Sequence, residues 1–408
     1  MSDKNAIVIF RISDGKPSGV VRYIDVLKKC ILAFSEYDIL VVQFDINGKF
    51  HNEYYEENGR VTMMNFPFLG MSNPLKINKN RLELHHDYLE MLILPYIMKY
   101  RRTVFHVQEM CLMELAVHLK QKLNCKIIFH QHVLPWKFIY QNDETRFNKI
   151  FHEYEKGEYS GILENKLEAY SYRNADIIIP VTEMAKEYIN KVFGIETSKI
   201  KVIYNGIFDC LPSLGLKREE KGLSTLLFVG RVSKEKGIYD LLETLLHIPK
   251  SIRYRLLIVG EYDNEFVEMI NSRYSNVNIE LAGMIAFDKL KAIYLKRPIG
   301  VIPSIHEQCS YTAIEMSMFG LPVIYSSVDG LKEIFTDGVN GLKVDLGFDE
   351  LMGVNRDVKK FSNSILKMLS DKESRYKYGD EARKNYCKNF TAQTMFKNLN
   401  KIYASCLK

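Results

Sequence analysis

Long apolar runs are what this 408-residue chain most plainly lacks. Its longest, Met91 to Met98, is broken by Pro95 and falls far short of the roughly 20 residues a membrane-spanning helix requires. The start, MSDKNAIVIF, has no basic segment followed by an apolar one, so no secretory signal is expected. Seven cysteines, an odd number without a CxxC pair, argue for reduced thiols in a cytoplasmic protein rather than a disulfide framework. Eleven prolines are scattered, which excludes collagen-like and Pro-rich segments. No GxGxxG follows the first apolar run, and Walker A, HExxH, GxSxG and EF-hand patterns are absent, which weakens the dinucleotide and P-loop readings. Asp45-Ile-Asn is the nearest approach to a DxD metal site, and it lacks the second acid. His85-His86 lacks ligand spacing and reads as a solvated helix face.

What is present is ordinary globular material, 47% apolar and 26% charged. The length predicts two or three domains at about 150 residues each. Short, continuously apolar runs alternate with amphipathic stretches. Strands are expected at 6–10, 39–44, 103–107, 126–129 and 176–181, then at 225–229, 254–259, 278–281, 299–302 and 322–325. Helical patterns lie between them at 19–34, 110–123, 164–173, 237–247, 287–295 and 311–319. This alternation predicts an α/β fold of parallel sheets covered on both faces. It breaks over 45–80, which reads as irregular loops or a short β excursion, and over 211–222, which reads as a linker. The expected division is therefore a domain at 1–205, a second at 206–370, and two helices at 371–408. The last helix carries an apolar stripe of Met395, Leu399, Ile402 and Cys406.

Net charge is +6, and residues 372–408 alone hold nine Lys/Arg against three acids. Such a tail suits an anionic membrane surface or a solvated helix face. The reading adopted is weak, salt-sensitive peripheral association with anionic membrane, at the inner face, with no nucleic-acid partner.

Chemistry concentrates in two segments. In LLFVGRVSKEKG, a buried strand runs into Gly230, then into a loop with Arg231, Lys234 and Lys236. Glycine there allows close backbone approach, and the cations suit a diphosphate. In PSIHEQCSYTAIEMSMFGLPVI, Glu307 and Glu315 flank a helix start at Ser310, Tyr311 and Thr312. The amides at such a start attract anions, and the two carboxylates can accept hydrogen bonds from sugar hydroxyls.

Taken with VIYNGIF (202–208), IVGEYDNE (258–265), VDGLKEIFTDGVNGLKV (328–344), SGVVRYI (18–24) and IIFHQH (127–132), these segments resemble family 4 retaining glycosyltransferases of the GT-B fold over nearly the whole chain. The resemblance implies two Rossmann-like domains facing a cleft, with a C-terminal helix crossing back to the first. It implies sugar transfer from a nucleotide donor, UDP-linked, to a glycan or lipid-linked acceptor, with retention and with neither metal nor cofactor. Arg231 and Lys236 would neutralise the diphosphate, with Gly230 and the Ser310–Thr312 amides beside it. Glu315 would hold the ribose, Glu307 the sugar hydroxyls, and the Gly283 region the base. Gly19 would let the first-domain loop approach the phosphates, and His132 would sit near the anomeric carbon. Cys309-Ser310 replaces the family's usual Phe-Gly, and Asp329-Gly330 stands where many members have two glycines. A catalytically silent partner subunit and a sugar-nucleotide epimerase are the competing readings.

Overall fold

The computed structural model describes residues 2–16, 18–46, 53–57, 59–67, 79–139, 147, 149, 163–211, 223–349 and 353–408. The expected linker lies outside them except for Leu211, as do parts of the 45–80 segment. Two compact units result: residues 1–206 with 392–408, and residues 207–391.

The first unit is built on β1 (Ser2–Ser13), β2 (Asp38–Asp45), β3 (Glu53–Glu57), β4 (Val61–Pro67), β5 (Tyr100–Val107), β6 (Lys126–Gln131) and β7 (Ile177–Pro180). Their order is β3-β4-β2-β1-β5-β6-β7, with every pair parallel except the β3–β4 edge. The run Ala6–Phe10 is wholly buried, as a strand covered on both faces requires. Val8, Phe10, Phe105 and Phe129 point into a core completed by helices Lys79–Ile97, Met113–Lys120, Leu163–Asn174 and Glu183–Phe193. The opposite face receives the helices Gly19–Phe34 and Ala392–Cys406, which meet through Cys30 and the Ala392 carbonyl and through Phe34 and Phe396.

The second unit repeats the plan with β8 (Ser224–Val229), β9 (Tyr254–Val259), β10 (Ile279–Gly283), β11 (Ile299–Ile302), β12 (Val323–Ser326) and β13 (Leu342–Val344). The order is β10-β9-β8-β11-β12-β13, all parallel. A separate hairpin joins β14 (Leu346–Asp349) to β15 (Gly353–Arg356). In both sheets the strand order reverses beside the first strand, at β1/β5 and at β8/β11. Loops leaving the carboxyl ends of the strands on either side of such a reversal diverge and leave a crevice, which is where open α/β sheets bind ligands.

All ten expected strands are present, with ends shifted by a few residues at most sites. The pair β3–β4 is the short β excursion that 45–80 offered as one of two readings, whereas the three-residue β13 and the β14–β15 hairpin go beyond the sequence reading. The tail needs a larger correction. Helix Lys372–Asn389 belongs to the second unit, and only Ala392–Cys406 to the first. Buried Arg297 explains why the earlier helix stays: its guanidinium donates to the Gly320 carbonyl and to Asp380. Arg383 likewise pairs with Asp209 and bonds the Met318 carbonyl. The tail's cations are thus divided between units, with Arg375 buried, Arg383 on Asp209 and Lys384 on Glu381. Among the described residues no helix is long and apolar enough to cross a membrane.

The buried face of the last helix is Met395, Phe396, Leu399 and Tyr403, while Ile402 and Cys406 lie at its margin. This face completes the first unit's core. Leu399→Ala should therefore cost about 2–5 kcal/mol, the range for emptying a buried leucine site, read as a lower midpoint in urea. A loss below about 0.5 kcal/mol, the scale of surface substitutions, would show that the helix is not part of that core.

Candidate functional site

On the β8 side of the reversal in the second sheet, the ends of β8, β9 and β10 are locked backbone to backbone. The Gly230 amide donates to the Val259 carbonyl (2.9 Å), and the Gly260 amide to Gly283 (2.9 Å). Gly230, Gly260 and Gly283 all have positive φ, and a Cβ at Gly260 would collide with the Gly230 carbonyl. Glycine is needed because the strand ends approach this closely. Val232 N–H to the Glu261 carbonyl (2.9 Å) then turns the loop outward and leaves Arg231 exposed. The carboxyl of neighbouring Glu235 is held below its usual range by its own backbone N–H and by the Ser233 hydroxyl.

Lys236 does not stand alone. Its ammonium donates to Glu307 Oε1 at 2.6 Å, and Ser304 Oγ donates to the same oxygen at 2.9 Å. The Ile305 amide bonds the Glu235 carbonyl (2.9 Å), so the loops after β8 and β11 are tied by main chain as well as by charge. Gly330 presses on this segment from the other side: a Cβ there would overlap the Gln308 carbonyl and lie 2.6 Å from the Glu307 backbone carbonyl oxygen. The second position of Asp329-Gly330 therefore needs glycine on steric grounds.

The helix Tyr311–Met318 begins directly after this loop. Ser310 is its N-cap and accepts from the Ala313 amide (3.4 Å), so this serine supplies a cap. An α-helix leaves its first amides without intrahelical partners and concentrates partial positive charge there. Here those positions are Tyr311 and Thr312, both part-exposed, while Cys309 is a buried wall residue. Glu315, one turn further, is buried, and Tyr294 donates to its Oε2 at 3.0 Å. The second unit thus brings Gly230, Arg231, Lys236, Gly283, Glu307, Ser310, Tyr311, Thr312 and Glu315 to the carboxyl ends of adjacent strands.

The remaining two predicted residues lie in the first unit. Gly19 opens the helix capped by Ser18 and is exposed. His132 follows β6 and is part-buried, its Nε2 2.9 Å from Gln108 Oε1. Its ring stacks on His130, with centroids 4.4 Å apart and planes at 11°. Behind it, His130 Nδ1 meets His106 Nε2 at 3.1 Å, and His106 Nδ1 meets the Tyr403 hydroxyl at 2.7 Å. Tyr23 packs against both His130 and His132. Burial pushes His132 and His106 down to about 3, and His130 well below the ordinary histidine range. Glu109, next to Gln108, is pushed up to about 8 by burial, opposed by the Ile12 backbone and Arg11.

Among the described residues one cluster has metal-ligand chemistry, Asp87 and Glu90 with His118, and it contains none of the predicted site residues. Sequence reasoning missed Ser304 as a support for Glu307, Gly260 and Gly330 as contact points, and the set Gln108, His106, His130 and Tyr403. The spacing His106-x-Gln108 and His130-x-His132 was the available signal, because alternate residues of a strand share a face. Gly330→Ala should cost about 1–3 kcal/mol through overpacking, read by denaturant unfolding. Unchanged stability would show that the loop yields and that the contact is incidental.

The family description "Glycosyltransferase Family 4" matches residues 17–208, and "Glycosyl transferases group 1" matches residues 217–385. An uncharacterized glycosyltransferase of Methanocaldococcus jannaschii is 33% identical over 186 residues, covering 41% of this chain and 46% of that protein, so the chain matches less than half of that relative's length. Among solved structures, sucrose-phosphate synthase from Thermosynechococcus elongatus superposes with a TM-score of 0.71 at 20% identity, over 98% of each chain. Anabaena HepE in complex with UDP-glucose gives 0.66 at 15% identity, over 98% of this chain and 99% of that one. The two Rossmann-like sheets, the loops at their reversal points and the two family matches agree: the chain belongs to the family 4-type glycosyltransferases with the GT-B fold.

Proposed function

We propose that this glycosyltransferase moves a hexose from a UDP-linked donor to a glycan or lipid-linked acceptor, with retention of configuration. The observation that carries the reading is the convergence of Lys236, Glu307 and the Tyr311–Thr312 helix start at one reversal point. Solved neighbours bound to UDP and to UDP-glucose support the choice of donor.

The chemistry demanded is stabilisation of a departing nucleoside diphosphate. Its negative charge grows as the glycosidic bond lengthens, and fixed cations and amide dipoles meet that charge without reorganising. Arg231 is already exposed in its loop, whereas Lys236 is engaged by Glu307. A bound diphosphate competes for the Lys236 ammonium. Once it does, Glu307 is released from the ammonium while Ser304 still fixes one of its oxygens, and it can accept hydrogen bonds from sugar hydroxyls. Glu315, steadied by Tyr294, takes the ribose hydroxyls in this reading, and the Gly283 turn lies against the base. Gly19 and His132 of the first unit serve phosphate and sugar contacts. Exposed Lys377, Lys388, Lys397 and Lys401 would provide a salt-sensitive attachment to anionic membrane where the acceptor is lipid-linked.

Three expectations test the reading. Lys236→Ala should lower turnover of a UDP-sugar by about 100-fold or more, the scale of losing one preorganised electrostatic group. Glu307→Gln should also lose turnover while keeping its unfolding midpoint. Turnover within threefold of wild type for Lys236→Ala would remove the lysine from the site. Because the side-chain cations and helix amides already answer the diphosphate's charge, transfer should also persist in excess EDTA. Loss on chelation with rescue by Mn²⁺ would overturn that arrangement.

A further inference from the structure

We infer that Gln108 and His130 are positioning residues that hold His132 as a neutral imidazole protonated on Nε2, so that its Nδ1 acts as a hydrogen-bond acceptor for a sugar hydroxyl rather than as an acid. The acceptor role rests on the transferase reading; the protonation state does not.

The tautomer follows from the amide. Gln108 Nε2 lies 3.4 Å from the His106 carbonyl, which only a donor satisfies, so Oε1 is the atom that faces His132. A carbonyl oxygen accepts and never donates, so the ring nitrogen 2.9 Å away, Nε2, carries the proton. The lone pair is left on Nδ1.

The charge state follows from what surrounds the ring. From β6 comes His130, stacked at 4.4 Å; from β5, His106 and Gln108; from the helix Gly19–Phe34, Tyr23; and from the last helix, Tyr403 behind His106. Around Tyr403 stand Cys30, Tyr37 and Cys406. Among the described residues no carboxylate hydrogen-bonds any of the three imidazoles. A proton on His132 would therefore sit against a buried neutral ring with no counter-charge, a burial that disfavours the cation. The downward displacement of all three histidines agrees with this environment. The chain Tyr403–His106–His130 also fixes the plane of the ring on which His132 stacks, so the last helix contributes to the placement of His132 through two hydrogen bonds.

The test is ¹⁵N-histidine NMR of the full-length protein, with His132 assigned by comparison with His132→Gln. In wild type the His132 pattern should remain that of the neutral Nε2–H form from pH 8 down to pH 5. Gln108→Glu replaces the amide oxygen by a charged acceptor of the same reach. It should bring His132 titration into the pH 6–7 region, and below that midpoint the neutral fraction, and with it kcat/KM, should fall about tenfold per pH unit. His130→Leu should broaden the tautomer signals without that titration. A wild-type His132 that titrates near its ordinary value, or that carries its proton on Nδ1, would overturn the inference. So would Gln108→Glu with an unchanged His132 spectrum. If Gln108→Glu fails to fold, the wild-type spectrum alone decides. Absence of sugar transfer alongside the expected spectra would count against the transferase reading and leave the positioning assignment standing.

Discussion

Strand order reverses beside the first strand of each sheet, and that reversal decides which loops can meet at a ligand. Right-handed crossovers place helices on opposite faces on either side of that point, so the loops leaving β8 and β11 diverge and present their residues side by side. One loop supplies Arg231 and Lys236; the other supplies Ser304, Glu307 and a helix start. Neither holds a site alone. A backbone bond from Ile305 to Glu235 ties the two loops, while Gly230 to Val259 and Gly260 to Gly283 fix the ends of β8, β9 and β10 beside them. The glycines of this region are consequences of the close approach rather than markers of flexibility.

Within that frame, charge is arranged as a replaceable pair. Lys236 and Glu307 are each part-buried, and the carboxylate also accepts from Ser304. A lysine kept against a carboxylate stays ordered, and in the proposed reading a diphosphate takes the carboxylate's place. The first unit holds its predicted site histidine, which follows β6, in a different way. There, uncharged rings and an amide fix His132 without any ion pair.

Much of the fold could be read from sequence because buried parallel strands advertise themselves. LLFV, LLIV and IIIP are continuously apolar, and each became a strand. The same physics explains the omissions. The strand β4, VTMMNFP, has a mixed pattern, and β13 has only three residues. In the tail, the stripe was visible but its partner was not. Which unit a helix packs on depends on long-range contacts such as Arg297 with Asp380, and no local period encodes them. At the site, Arg231, Lys236, Glu307 and Glu315 were legible because loop and helix-start chemistry is local. The Lys236–Glu307 bond links positions 71 apart, and the histidine chain draws on β5, β6 and the last helix, so both needed the folded chain to appear.

In the proposed reading, Glu307 holds Lys236 until a diphosphate takes its place. Calorimetric titration of UDP, without sugar, into wild type and Glu307→Gln tests it most directly. Removing the competing carboxylate charge should tighten UDP binding by about tenfold, or roughly 1.4 kcal/mol, even though the same variant is impaired in transfer. Affinity for UDP that is unchanged or weakened in Glu307→Gln would contradict the account, because the ion pair would then not be what the nucleotide displaces.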